Sequence, residues 1–304
     1  MARMKDAAMK AMESEAMRLE AMYFDLRPAS RLTDEGLKQG ASGFRDHGLR
    51  PARPGAAGSV LPEQGECCSP VRRLAMGAAS EVGCPETSGG QEPRASSDFA
   101  DVVPLGQGRV ALILGDVCSR DRAETQHVPQ ILSALRLILN KHAQPAHALG
   151  ALNRALCGAD SPAACCPILL SLVVLDVGTG EAACACAGSE PPLILRSGGS
   201  VEAINAGTRR LGVDAKWAYR ATDFLLREGD ALLLATDGIV GARRARGSGS
   251  EESLNCEGLA GLALDAFRAG SPPGQVARSV MAGAKAFAGG ALCDDASVLV
   301  AVRQ

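Results

Sequence analysis

Five apolar runs between residues 168 and 236 constrain the fold more than anything else in this chain: "ILLSLVVLDV" (168–177), "AACACAG" (182–188), "PPLILR" (191–196), "TDFLLR" (222–227) and "DALLLAT" (230–236). Each has strand length, and turn residues such as Gly178-Thr179-Gly180-Glu181 and Gly229-Asp230 separate them. Connections of hairpin length join antiparallel neighbours; a parallel pair needs a crossover of a dozen residues or more. An antiparallel meander is expected, and a doubly wound parallel sheet is not.

The flanking segments complete the pattern. "RVALILGDV" (109–117) reads as a buried strand, and 128–142 and 146–156 have helical spacing. Residues 254–268 and 272–288 also look helical, and "DASVLVAV" (295–302) closes as a strand. Two helices, a meander, two more helices and a final strand describe an α+β layered domain. Aromatic residues make up only 3% of the chain, so Leu, Val, Ile and Ala must fill its core.

The N-terminal third is different. Residues 1–26 carry Met9, Met12, Ala16, Leu19, Tyr23 and Leu26 three and four apart, a heptad-like stripe flanked by charge. A helix packed on its own domain and a homodimer seam are equally good readings of it. From 27 to 95 the sequence is rich in Pro, Gly, Ser and charge and reads as a linker or poorly ordered region, with room for a strand near 71–82.

Several functions are disfavoured at this level. A net charge of −2 gives no global signal for nucleic acid or a membrane surface. The longest strongly apolar stretch, "PILLSLVVLDV" at 167–177, is too short to span a bilayer. The N-terminus lacks the continuous apolar segment of a secretory signal, so a cytoplasmic location is expected. The 11 cysteines include adjacent and alternating pairs but no C-x-x-C, which fits neither a disulfide framework nor a structural zinc site. Small buried thiols account best for most of them.

Four acidic places share a setting. Asp98 and Asp101 lie in "SSDFADVVPL", Asp116 ends "VALILGD", Asp237 follows "LLLAT", and Asp294-Asp295 introduce the last strand. Singly, each is a turn or cap residue. Brought together, such carboxylates repel, and a divalent cation is the usual way to hold them. Oxygen-only ligation favours Mg²⁺ or Mn²⁺ over zinc. The Gly238 that follows Asp237 lets another group approach the backbone closely. Other candidates carry less. Arg243, Arg244 and Arg246 read as a solvated loop or as cations that steer a phosphorylated substrate. His127, His142 and His147 read as surface or capping residues, and Gly106 and Gly108 as a hairpin turn.

These motifs together resemble the PP2C-type phosphatase domain of the SpoIIE/RsbU family, bacterial metal-dependent serine/threonine protein phosphatases. "SSDFADVVPLGQGRVALILGDV" is similar to the family's opening, "LLLATDGIVGAR" to its Thr-Asp-Gly segment, and "CDDASVLVAVR" to its closing Asp-Asp-Ala segment. The match covers 96–304. It implies an α-β-β-α sandwich, two antiparallel sheets flanked by helices. It also implies two Mn²⁺ or Mg²⁺ ions bound by Asp98, Asp116, the Val117 carbonyl, Asp237 and Asp294, with Asp116 and Asp237 central to catalysis. In the implied chemistry a metal-activated water attacks a phosphoserine or phosphothreonine of a signalling protein, such as an anti-sigma-factor antagonist. The sequence departs from the family pattern at Ser96-Ser97, where paired glycines are usual, and after Asp116, where "CSRDRAETQHVPQ" lacks glycine. "AGSEPP" (187–192) lacks the usual His. These departures motivate an alternative, a catalytically weak module of the same fold that sequesters a signalling partner.

Overall fold

The computed structural model describes residues 65–68, 73–83, 96–118, 127–158, 167–205, 209–245, 251–268 and 270–304. The stripe at 1–26 lies outside the described residues. The chain divides into units 1–56 and 57–304, and every described element belongs to the second.

That unit begins with β1 (Gly65–Cys68), β2 (Leu74–Glu81), β3 (Asp98–Gly106) and β4 (Arg109–Val117). Helices α1 (Val128–Lys141) and α2 (Pro145–Leu156) follow, then the strands β5 (Ile168–Asp176), β6 (Glu181–Ala187), β7 (Leu193–Leu195), β8 (Val201–Ala203), β9 (Thr222–Leu225) and β10 (Ala231–Ala235). Next come a short helix α3 (Asp237–Val240), a ribbon of β11 (Arg243–Ala245) and β12 (Glu251–Ser253), the helices α4 (Asn255–Arg268) and α5 (Pro273–Phe287), and β13 (Ala296–Arg303). One sheet has the order β3-β4-β5-β6-β9 and the other β1-β2-β13-β10-β7-β8. Every pairing between named strands is antiparallel.

Alternation along the strands builds the layers. In β4, Val110, Leu112 and Leu114 point between the sheets, while Ala111 and Ile113 point to α1 and α2. In β10, Leu232 and Leu234 meet them from the other sheet, and Ala231, Leu233 and Ala235 pack on α4 and α5. The helices bury one stripe each, Ile131, Leu132, Leu135 and Leu139 on α1 and Ala148, Leu149, Leu152 and Leu156 on α2. Phe99 is the bulkiest of the fully buried side chains, and Leu, Ile, Val, Ala and Cys fill the remainder. The sandwich of two antiparallel sheets flanked by helices is the architecture expected. At the end remote from β3's first residue, Arg303 ties the sheets together: its buried guanidinium donates to the carbonyls of Val177 (3.1 Å), Leu226 (3.1 Å) and Gly178 (2.6 Å).

Three expectations need correction. The five runs do not form one meander: β5, β6 and β9 are neighbours in one sheet, while β7 and β10 pair with each other in the other. The stretch read as a linker contains β2, which pairs along its whole length with β13 and contributes Leu74, Met76 and Ala78 to the core between the sheets. The sheet therefore starts before residue 96. The strand allowed for near 71–82 is β2, although "LAMGAASE" lacks the β-branched residues that mark strands. The segment holding Arg243 and Arg244 is not a loop but one side of the β11–β12 ribbon.

Candidate metal centre

The site forms where one edge of each sheet ends on the same side of the inter-sheet core. Asp98 begins β3 and stands directly opposite Asp116 on β4. Both share the strand face of Ala100 and Leu114, so both carboxylates point between the sheets. Asp101, three residues on, takes the opposite face. It is buried toward α1, where it accepts a hydrogen bond from Arg136 Nε at 2.7 Å. Period-two alternation thus separates two acids that look equivalent in sequence, and only Asp98 reaches the site.

The second sheet supplies the other half. Thr236 and Ser297 occupy the inter-sheet face just beyond β10 and at the start of β13. Thr236 Oγ1 donates to Asp98 Oδ2 (2.9 Å) and accepts the Ser297 N–H (2.9 Å). Asp237 is the first residue of α3. A Cβ at Gly238 would run into the carbonyl of Asp295, so the glycine lets the β10–α3 turn lie against the segment that enters β13. This close approach brings Asp237 and Asp294 to one end of the sandwich.

Asp295 has a different task from its neighbour. Its Oδ1 accepts Gly83 N–H (2.8 Å), and its Oδ2 accepts Ser97 N–H (2.7 Å) and Ser97 Oγ–H (3.1 Å). It clamps the ends of β2, β3 and β13 together, while the exposed Asp294 is left for the cleft. The clamp has a consequence for Val117. Val117 N–H donates to the Ser97 carbonyl (3.1 Å), but Ser97 N–H turns to Asp295 and does not return the bond to the Val117 carbonyl. That oxygen is released from the ladder at the mouth of the site. The serines that replace the paired glycines are used, because Ser96 Oγ also accepts the Asp98 N–H (3.2 Å).

The electrostatics are those of packed anions without a counter-charge. Burial first, and then Asp116, holds the Asp98 carboxyl well above the usual carboxylate range. Asp116 is pushed up to about 6 by burial, with Asp237, Asp294 and Asp295 adding to it against a hydrogen bond from Ser97. Asp237 is raised by burial, then by Asp294 and Glu190, with Arg210 opposing. Oδ1 of Asp98 and Oδ1 of Asp116 are buried and have no hydrogen-bond partner. An orphaned buried carboxylate oxygen is costly, and two facing each other are more so. A cation is the ligand that would satisfy both. The oxygen-only donors around them suit Mg²⁺ or Mn²⁺. Among the described residues, no three His, Cys, Asp or Glu side chains are gathered around one point.

A cleft opens beside these groups, lined by Leu114, Gly115, Asp116, Leu169, Ser189, Ala235, Thr236 and Asp237. Ser189 and the nearby Glu190 were not singled out in the sequence, where "AGSEPP" stood out only for lacking the family's usual His. Burial, followed by Asp116, pushes the Cys118 thiol up to about 11, which disfavours the thiolate in the metal-free protein. Of the six cysteines whose burial is described, only Cys184 and Cys186 are buried, so small buried thiols account for fewer of these six than expected. The other candidates lie elsewhere. Arg243 pairs with Glu251 (2.9 Å), and Arg244 pairs with Glu252 (2.6 Å) and covers the Phe287 ring. His127 contacts Gln130 (3.1 Å), and His142 and His147 contact each other. Gly106 and Gly108 form the tight β3–β4 turn. Arg246 lies outside the described residues.

Comparison with known proteins fits this geometry. The family model described as Stage II sporulation protein E (SpoIIE) matches residues 106–304. The fold is similar to that of the RsbU and RsbW domains of a Mycobacterium tuberculosis protein, with a TM-score of 0.62 and 22% identity over 76% of this chain and 62% of that one. It is also similar to the PP2C phosphatase domain with a regulatory fragment of SpoIIE from Bacillus subtilis, at 0.60 and 18% over 76% and 63%. The chain therefore spans about three-fifths of the length of these two. RsbX, solved in complex with magnesium, gives 0.54 and 8% over 79% of this chain and 100% of that one. No curated protein sequence matches this chain. Among the described residues, no helix is long and apolar enough to cross a membrane. With the family model covering about two-thirds of the sequence and the sandwich in place, this chain belongs to the SpoIIE/RsbU family of PP2C-type phosphatases.

Proposed function

We propose that this chain is a divalent-cation-dependent protein phosphatase that hydrolyses phosphoserine or phosphothreonine on a bacterial signalling protein. The observation that carries the proposal is the pair of orphaned buried oxygens, Asp98 Oδ1 and Asp116 Oδ1, on residues opposite each other in the ladder, beside a cleft lined by Asp116 and Asp237. Asp98, Asp116, the Val117 carbonyl, Asp237 and Asp294 would hold two Mn²⁺ or Mg²⁺ ions. Bound there, the ions would supply a water of lowered pKa and neutralise phosphoryl oxygens. The chain's own part is positional. Thr236 fixes the Asp98 carboxylate, the Asp295 clamp fixes the strand ends, and the apolar walls of Leu114 and Leu169 limit water around the reacting group. An anti-sigma-factor antagonist or a similar small signalling protein is the substrate class that the family resemblance supports. A cytoplasmic location and a dimer through the 1–26 stripe belong to the same proposal and rest on the sequence.

One observation favours the alternative of a binding module: no three candidate ligands are yet gathered around one point among the described residues. Phosphate release from an aryl phosphate separates the two readings. Hydrolysis that requires Mn²⁺ or Mg²⁺ and stops with EDTA is expected of the phosphatase. Mn²⁺ should also raise the melting temperature, by the equivalent of about 2.7 kcal/mol at a hundredfold excess over Kd. A raised melting temperature with no phosphate release would leave the binding module.

A further inference from the structure

The charged groups that act on the cleft's two aspartates are acidic, with one exception. Asp116 and Asp237 line it, Asp98 stands opposite Asp116 across the β3–β4 ladder, and Asp294 and Glu190 are close enough to act on Asp237. The exception is Arg210, and its backbone is firmly placed. Leu211 exchanges both main-chain hydrogen bonds with Ile168 (3.0 and 3.2 Å), at the end of β5 from which Leu169 enters the cleft. The Tyr219 hydroxyl donates to the Arg210 carbonyl at 3.2 Å. At Gly188 the chain leaves β6 with φ +70°, and a Cβ there would lie 2.6 Å from Arg210 Cγ and 3.0 Å from Leu169 Cδ2. The missing side chain lets the Arg210 stem lie beside Leu169 at the cleft's edge. Asp116 pairs with Leu169 across β4 and β5. Arg210 therefore stands about two strand spacings, roughly 10 Å, from Asp116. Across that separation the long arginine side chain can turn its guanidinium toward the cleft.

What the guanidinium does not do is as informative. Arg210 is exposed and makes no side-chain hydrogen bond or ion pair with any described residue. Its neighbour Arg209 is fully engaged, paired with Asp214 at 2.8 Å and lying over the Trp217 ring at 4.5 Å. Yet the charge of Arg210 reaches the site, where it opposes the rise of both Asp237 and Cys118.

We propose that Arg210 is the substrate-side cation of the cleft, the group that takes the phosphoryl oxygens of a phosphate monoester. This rests on the phosphatase reading of the same site. A planar guanidinium matches two phosphate oxygens at once, which an ammonium cannot do. In a rim otherwise built of carboxylates, it gives an anionic substrate one protein group to bind directly.

The probe is inorganic phosphate, titrated calorimetrically into the full chain with saturating Mn²⁺, alongside the KM and kcat for an aryl phosphate. Arg210→Gln should weaken phosphate at least tenfold and raise KM by a similar factor, with a smaller change in kcat. Because Arg210 offsets the carboxylates, the Mn²⁺ affinity of the variant should not fall, and its melting temperature with Mn²⁺ bound should stay near the wild-type value. Arg210→Lys should recover part of the loss, and Arg209→Gln should leave phosphate binding unchanged. Equal phosphate binding by wild type and Arg210→Gln would overturn the proposal, as would a wild type that binds no phosphate with Mn²⁺ present. Loss of Mn²⁺ binding or of the fold in both Arg210 variants would make the residue structural and overturn it too. A wild type that binds phosphate through Arg210 but releases none from the aryl ester would uphold this inference and reject the phosphatase reading.

Discussion

Asp237→Asn is expected to lower Mn²⁺-dependent phosphate release by a factor of about a hundred or more, while the metal-free protein becomes no less stable. The substitution keeps the shape at the start of α3 and removes one negative charge from a rim where Asp294 and Glu190 already disfavour it. Charge stabilisation and positioning provide most of the catalysis in phosphoryl transfer, so losing one anionic ligand costs orders of magnitude. Without metal, the same loss relieves repulsion. A merely structural Asp-Gly turn predicts the opposite: reduced stability, with activity falling only as the fold fails. Melting temperature without metal and turnover with Mn²⁺, measured on the same preparation, decide between them. Near-normal turnover would remove Asp237 from the centre.

The second large effect is on how stability depends on pH. Asp98, Asp116 and Asp237 all have raised pKa values in the folded, metal-free protein. Unfolded, an aspartate titrates at its ordinary value. Between those values the folded chain holds protons that the unfolded chain has released, so stability from these groups falls as pH rises. For Asp116 the window runs from 3.8 to about 6. A shift of that size corresponds to at most about 3 kcal/mol. The metal-free protein should therefore be more stable near pH 5 than at pH 7. With Mn²⁺ the slope over the same range should reverse, because the ion binds only the ionised carboxylates. Thermal melts from pH 4.5 to 7.5, with Mn²⁺ and with EDTA, would show the two curves diverging as pH rises. Parallel curves would mean that the carboxylates do not hold the ion.

Much of this was legible in the sequence because the strands are strongly apolar and the acids sit at their ends. "RVALILGDV" is β4 from its first residue to its last, but of the five runs after 167 only β5 and β6 pair as consecutive neighbours, because the short turns after β6 and β9 carry the chain into the other sheet. What could not be read depends on partners distant in sequence. β2 becomes a strand because β13 pairs with it, and its own alanines and glycine say little. Asp101 and Asp98 are told apart only by which face of β3 meets α1. Asp294 and Asp295 are adjacent and chemically identical, yet the N–H groups of Gly83 and Ser97 turn Asp295 into a clamp. Arg210 is one of two consecutive arginines in "AGTRRLGV", and only packing shows that Asp214 and Trp217 engage its neighbour.

The central claim is that these carboxylates form a two-ion centre, and crystals grown with Mn²⁺ test it most directly through anomalous scattering at the manganese edge. Two peaks about 3.5–4 Å apart are expected, with Asp116 between them, Asp98 and the Val117 carbonyl on one side, and Asp237 and Asp294 on the other. A well-ordered, Mn²⁺-saturated crystal with no peak at this rim, or with manganese only elsewhere on the surface, would contradict the account.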